Sequence, residues 1–275
     1  MPESGDIMTA KEYAPHIGET DRERFRAACR RLASAGRSRD SIGTLSEKTL
    51  HATLKFYYEA DSDCHEVPVG AYVADIVGEH GIIEIQTRGF SRLKSKLAVF
   101  LEAAHVTVVY PIICQKTVIS IAAETGEVMS SRKSPKKGSL YTSVRELYTI
   151  REFLSHPRLT VKLVMLAADE VRFFGVRTRR RKKQRTRSGE YVSDLIPTDI
   201  FDEITLSEPQ DYDIFLPREL KREEMPFGAS ELAAAAHADA DSARMALNLL
   251  TGMGVVNPAG KKGNAKLYLS CETFR

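Results

Sequence analysis

Asp75 and Glu84 sit inside apolar, strand-forming runs, Val73-Ala74-Asp75-Ile76 and Ile82-Ile83-Glu84-Ile85-Gln86, on either side of Gly78-Glu79-His80-Gly81. Taking an ionised carboxylate out of water is costly unless it is paired or binds a metal. On paired strands the two carboxylates meet side by side. Side chains alternate along a strand, so Glu84 and Gln86 share a face while Ile85 points away. Hard oxygen ligands in this arrangement suit Mg²⁺ or Mn²⁺, which activates water and offsets the charge that builds on a phosphate during phosphodiester hydrolysis. Gln86 then orients the water or a phosphate oxygen, and the Ile85 carbonyl offers a further ligand. The competing account is structural: Asp75 caps a turn, and Glu84 pairs with Arg88 or Lys94 on a solvated sheet face.

These residues need a scaffold, and the chain supplies one from Ile42 onward. Thr44 or Ser46 caps a predicted helix to about Tyr58, with Leu45, Leu50, Leu54 and Tyr57 or Tyr58 on its apolar face. Glu66 to Val77 reads as one or two strands and Gly81 to Thr87 as the next, joined by the glycine-bounded turn. Ser91 to Leu101 has helical spacing, and Val106 to Ile113 is a continuous apolar strand of the kind buried on both faces. Thr117 to Ile121 and Val128 to Ser131 suggest a hairpin, and Ser143 to Leu154 a helix. Leu159 to Leu166 and Glu170 to Phe174 suggest further strands, and Ile196 to Leu206 a short helix and strand. Helices alternating with strands indicate an α/β sandwich.

The carboxylates, the glutamine and this element order resemble the PD-(D/E)XK nuclease superfamily. Its pattern is an acidic residue, a short gap and (D/E)-X-K, preceded by a helix that often carries a glutamate. The likeness spans roughly residues 42–115. It implies a restriction-endonuclease-like mixed-sheet core flanked by helices, with Glu47, Asp75, Glu84 and Gln86 as the catalytic set, and Asp75 and Glu84 as Mg²⁺ (or Mn²⁺) ligands. Gln86 stands where the superfamily usually has lysine. A lysine lost there is sometimes replaced from elsewhere, and Lys94, Lys96 and Arg88 are the candidates. Many such nucleases act as dimers, so a homodimer is a possible partner alongside DNA. His51, one helical turn past Glu47, reads as a structural residue.

Composition bounds the alternatives. The chain has 275 residues and a formal net charge of only +3, yet Arg177 to Arg187 reads RTRRRKKQRTR. Cys29, Cys64, Cys114 and Cys271 are widely spaced, which argues against a zinc or disulfide framework. With neither a membrane-length apolar run nor a signal-peptide core, the expectation is a cytoplasmic protein without a membrane partner. GxSxG, P-loop, HExxH and Rossmann patterns are absent.

The basic residues fall into groups. Arg88 and Lys94 flank the carboxylates. Lys136 and Lys137, with Arg132 and Lys133, end the expected hairpin, and Arg179, Arg180, Arg181, Lys182 and Lys183 form an arm. Phe227 to Leu269 changes character: a helix capped by Ser230, a turn, a helix capped by Asp241 or Ser242, then two strands around a Gly- and Lys-rich loop. That order is a winged helix-turn-helix, with Ser242, Arg244 and Asn248 on an exposed recognition face and Lys261, Lys262 and Lys266 on the wing. Such residues meet phosphates or groove edges.

The expected organisation is a partly helical or mobile leader (1–40), a nuclease-like domain (41–208), a linker (209–226) and a winged helix (227–275). The expected function is metal-dependent DNA hydrolysis. Two alternatives remain: a non-catalytic DNA-binding regulator on a degenerate nuclease fold, and an interaction protein whose basic arm meets an acidic partner.

Overall fold

The computed structural model describes residues 17–34, 48–174, 191–222 and 225–271. Thr44, Ser46, Glu47, the arm from Arg177 to Arg187 and residues 1–16 of the expected leader lie outside them.

The described residues begin with two helices, α1 (Glu19–Ser34) and α2 (Lys48–Tyr58). Strands β1 (His65–Val69), β2 (Tyr72–Gly78) and β3 (Gly81–Ile85) form an antiparallel meander. Helix α3 (Lys94–Ala103) then crosses to β4 (Val106–Ala122), which lies parallel to β3. Strand β5 (Val128–Lys133) pairs with the distal half of β4. After α4 (Tyr141–Thr149), β6 (Leu159–Phe174) runs parallel to β4, and β7 (Tyr191–Leu206) returns antiparallel to β6. The sheet order is β1-β2-β3-β4-β6-β7, so this is a mixed sheet.

Helices cover both faces. On one, Phe25 of α1 and Leu50, Leu54 and Tyr57 of α2 pack on Ile76, Ile85, Val109, Val164 and Ile200. On the other, Leu97, Phe100 and Leu101 of α3 and Val144 and Leu147 of α4 cover Ala74, Ile82, Val108 and Val161. Coverage on both sides is why β4 and β6 read as nearly unbroken apolar runs. Gly81 sets the meander against the β4 entry. Its φ is +103°, and a Cβ there would lie 2.3 Å from the His105 carbonyl oxygen, so only glycine fits.

Several expected boundaries move. Val106 to Ile113 and Thr117 to Ile121 are one strand, because a register shift between Ile113 and Gln115 carries the chain through the polar break. The two segments of β6 are likewise continuous. No helix precedes Leu206: Ile196 to Leu206 is all β7, an edge strand whose Pro197 sits beside a register shift. Glu19–Ser34, inside the expected partly helical or mobile leader, is a helix seated on the sheet. Phe25 is fully buried, and Arg22 makes an ion pair with Asp199 of β7.

The expected linker, over its described residues 209–222 and 225–226, is packed against the fold. Asp211 Oδ2 accepts from the Ser207 and Glu208 amides at 2.7 and 2.8 Å, starting a 3-10 helix over Pro209–Phe215 that buries Tyr212 and Phe215. Next come α5 (Arg218–Arg222), α6 (Ala229–Ala235), α7 (Ala240–Gly252) and a two-stranded hairpin, β8 (Val256–Lys262) with β9 (Ala265–Ser270). Leu232, Ala246, Leu250 and Val255 join the same apolar cluster as α3 and α4, so no break in the core marks the tail. Gly228 rather than Ser230 caps α6. Asp239 rather than Asp241 or Ser242 caps α7, accepting from the Ser242 amide at 2.9 Å.

Candidate functional site

Backbone pairing between β2 and β3 covers Gly78↔Gly81, Val77↔Ile82 and Ile76↔Ile83, and ends there. One residue further on each strand stand Asp75 and Glu84, and their side chains replace the ladder. Asp75 Oδ2 accepts from the Ile85 amide at 2.8 Å, and Glu84 Oε1 from the Asp75 amide at 3.3 Å. The carboxylates thus sit where the strands part, and their side chains bridge the gap.

Each carboxylate draws a cationic or polar partner from the helix layer on its side. His51 of α2 donates through Nε2 to Asp75 Oδ2 at 3.1 Å. Lys96, in the first turn of α3, places Nζ 3.1 and 2.9 Å from Glu84 Oε1 and Oε2, and 2.8 Å from the Val73 carbonyl. Glu84 is only 1% exposed. This replaces the solvated-face account, because the partner is Lys96 and the carboxylate is buried. Lys94 instead pairs with Glu152 at 2.7 Å on the surface.

The environments separate the two acids. Burial, then the Asp75 charge, raises the Glu84 pKa, and Lys96 offsets this only in part. Burial also pushes Asp75 upward, but the His51 hydrogen bond and charge, the Ile85 amide and Lys96 outweigh it, leaving Asp75 below the ordinary carboxylate value. A pair split this way holds a proton more readily on Glu84 and a negative charge on Asp75.

The other predicted site residues are placed as follows. Gln86 follows β3, and its side-chain amide donates to the Arg88 carbonyl rather than reaching either carboxylate. The loop beyond it is clamped by Glu146 of α4, whose carboxylate accepts from the Gly89 and Phe90 amides at 3.0 and 2.7 Å. Among the described residues, no three His, Cys, Asp or Glu side chains cluster tightly enough to hold a metal ion. Arg88, Lys136, Lys137, Lys261 and Lys262 are exposed. Arg244 is exposed but engaged by Asp241 at 2.6 Å, and Ser242, expected on the recognition face, is buried with its hydroxyl donating to Asp239 at 2.6 Å. His51 and Glu146 were not readable as site residues. Their signal is only a polar side chain on a helix, with partners distant in sequence.

The match that places the chain among known proteins covers residues 48–207, from α2 through the end of β7, and so contains the whole carboxylate site. The chain belongs to the family described as Domain of unknown function (DUF8091). This DUF8091 chain is also 29% identical over 230 residues to a protein of Treponema pallidum (strain Nichols) described as uncharacterized, covering 83% of the chain and 87% of that relative. No solved structure matches it. Among the described residues, no helix is long and apolar enough to cross a membrane.

Proposed function

We propose that this protein is a divalent-metal-dependent nuclease acting on DNA, with a restriction-endonuclease-like core. The observation that carries the reading is Lys96. It supplies, from the next helix, the ammonium that Gln86 cannot, and places it on Glu84 where β2 and β3 part. The order α2-β1-β2-β3-α3-β4 and the parallel β3–β4 pair support the same reading. Asp75 and Glu84 are hard oxygen donors of the kind a divalent ion takes, and an ion using both would displace the Lys96 ammonium from Glu84. Mg²⁺ or Mn²⁺ held there supplies Lewis-acid activation of water and phosphate. Lys96 steadies charge at the scissile phosphate, His51 holds Asp75 in place, and Glu146 fixes the loop that carries Gln86. The tail helices and the β8–β9 hairpin, read as a winged helix, add phosphate contacts through Lys261 and Lys262.

The test is cleavage of supercoiled, linear and single-stranded DNA with Mn²⁺ by the native chain and by Asp75→Ala and Lys96→Met. Native activity lost in both variants supports the proposal. Absence of cutting on every DNA form, with unchanged Mn²⁺ binding in Asp75→Ala, removes it.

A second reading is a DNA-binding regulator in which the site has become a structural ion pair. It is favoured by Lys96 engaging both Glu84 oxygens and by the absence of a three-residue ligand cluster among the described residues. Such a protein binds DNA equally well with and without metal and leaves it intact.

A further inference from the structure

β3, which carries Glu84, pairs with the start of β4, and that side of β4 continues well past the carboxylates. Glu84 stands opposite Val108 and Ile85 opposite Val109, where β3 ends. Beyond, the same side of β4 is taken first by the segment around Gly138, whose amide donates to the Ile113 carbonyl at 2.8 Å. Next comes Ser134, whose amide donates to the Lys116 carbonyl at 2.7 Å, and then β5, with Lys133 opposite Thr117 and Arg132 opposite Val118. Every residue of β5 is exposed. From Ser130 to Ser139 the chain reads SSRKSPKKGS, four cations without an acid. Arg132, Lys133, Lys136 and Lys137 are all exposed, and none makes an ion pair among the described residues. Elsewhere the sheet's cations are matched: Lys116 and Arg172 on Glu170, Lys162 on Glu203. Uncompensated positive charge is therefore concentrated on this one edge.

Register gives the spacing. Five residues of β4 separate the level of Glu84 from that of Gly138, and ten separate it from Arg132. At the strand rise of about 3.3 Å per residue, and without the extra residue of the bulge between Ile113 and Gln115, these are distances of about 16 and 30 Å. A DNA strand advances about 3.4 Å per nucleotide. We propose that this strip is a track for the flank of a DNA strand, gripping phosphates about five to nine nucleotides to one side of the carboxylate site. The proposal rests on the nuclease reading for the position of the scissile phosphate, but the track itself is defined by charge and register.

The test uses the full chain with Arg132→Ser, Lys133→Ser, Lys136→Ser and Lys137→Ser combined. Binding to a duplex of about 30 base pairs is followed by fluorescence anisotropy in Ca²⁺ from about 50 to 300 mM salt. The slope of log K against log salt is expected to fall by about 3 to 4, with affinity at about 0.1 M salt down at least tenfold. The pair Lys136→Ser and Lys137→Ser alone should account for about half of that slope change. An unchanged thermal midpoint shows that the fold is intact. Trimming the duplex to fewer than about five base pairs on the flank should abolish the difference between variant and native chain. An unchanged slope, failure of the native chain to bind DNA, or displacement of DNA by polyglutamate as effectively as by competitor DNA overturns the track. A changed slope in a chain that cuts nothing with Mn²⁺ sustains the track and removes the nuclease reading. Cleavage with an unchanged slope does the reverse.

Discussion

Replacing Lys96 with methionine tests the electrostatic logic of the site without appeal to activity. Methionine keeps most of the apolar stem and removes the ammonium that contacts both Glu84 oxygens and the Val73 carbonyl. Glu84 is then left almost wholly buried beside Asp75. Removing one partner of a fully buried ion pair costs roughly 3–5 kcal/mol. Because the Lys96 side chain is 26% exposed, water recovers part of this, and about 2–3 kcal/mol is the reasoned loss at pH 8. That corresponds to a fall in thermal midpoint of roughly 3–5 °C for a chain of this size.

The loss must also depend on pH. The Glu84 pKa is already raised, and without Lys96 it rises further. A carboxylate whose folded pKa lies above its unfolded value favours the folded state below the unfolded pKa. That advantage disappears as pH rises through the folded pKa. Lys96→Met should therefore be nearly neutral near pH 5 and most damaging near pH 8. Adding Glu84→Gln should recover most of the loss at pH 8. The assay is urea denaturation of the native chain, both single variants and the double variant across that pH range. A loss under about 0.5 kcal/mol at pH 8, or one that does not vary with pH, refutes the reasoning.

Further outcomes follow from other contacts. Glu146→Ala orphans the Gly89 and Phe90 amides and should cost about 1–3 kcal/mol, seen as faster hydrogen exchange at those two residues. Gly81→Ala drives a Cβ into the His105 carbonyl at a positive φ, and should lower stability by more than about 2 kcal/mol in denaturant titration. Phe25→Ala empties a fully buried ring site between α1 and β7 and should cost about 3–5 kcal/mol, whereas a mobile leader would lose almost nothing. Asp75→Asn removes the acceptor charge for His51, and with it stability that is present above the unfolded aspartate pKa and lost as pH falls through the lowered folded value. The variant should therefore unfold at a midpoint closer to that of the native chain at pH 2.5 than at pH 7.

The sequence exposed most of what local pattern encodes. The β2–β3 turn, the apolar β4 run and the tail's helix, helix and hairpin follow from glycine placement and hydrophobic spacing, and Asp75 and Glu84 stood out because they interrupt apolar runs. Long strands were harder to read. Gln115-Lys116 and Ala167-Ala168 look like breaks, and only the bulged register with neighbouring strands shows them to be continuous. Segment 209–226 looked like a linker because of its prolines, while Tyr212 and Phe215 already pointed to burial. The partners of the carboxylates were least legible. Lys96 was one of three cations near enough in sequence, and its choice over Lys94 depends on which face of α3 meets the parting strands. Gln86 misled because alternation predicts a shared face with Glu84, whereas β3 ends before Gln86 and its side chain turns to Arg88.

The seat of α1 on β7 bears on the order of assembly. Arg22 meets Asp199, a partner 177 residues later, and Phe25 packs beside Ile200. At synthesis rates of about 5–20 residues per second, α1 leaves the ribosome roughly 10–35 s before its docking surface exists. β7 is the last strand of the sheet in chain order, so α1 completes its seat only when the sheet is complete. During that interval Tyr57 of α2 can already pack on Phe25, but the side that meets Ile200 is uncovered. A nascent chain stalled before Asp199 should therefore present α1 to chaperones and proteases, and release of β7 should end that exposure.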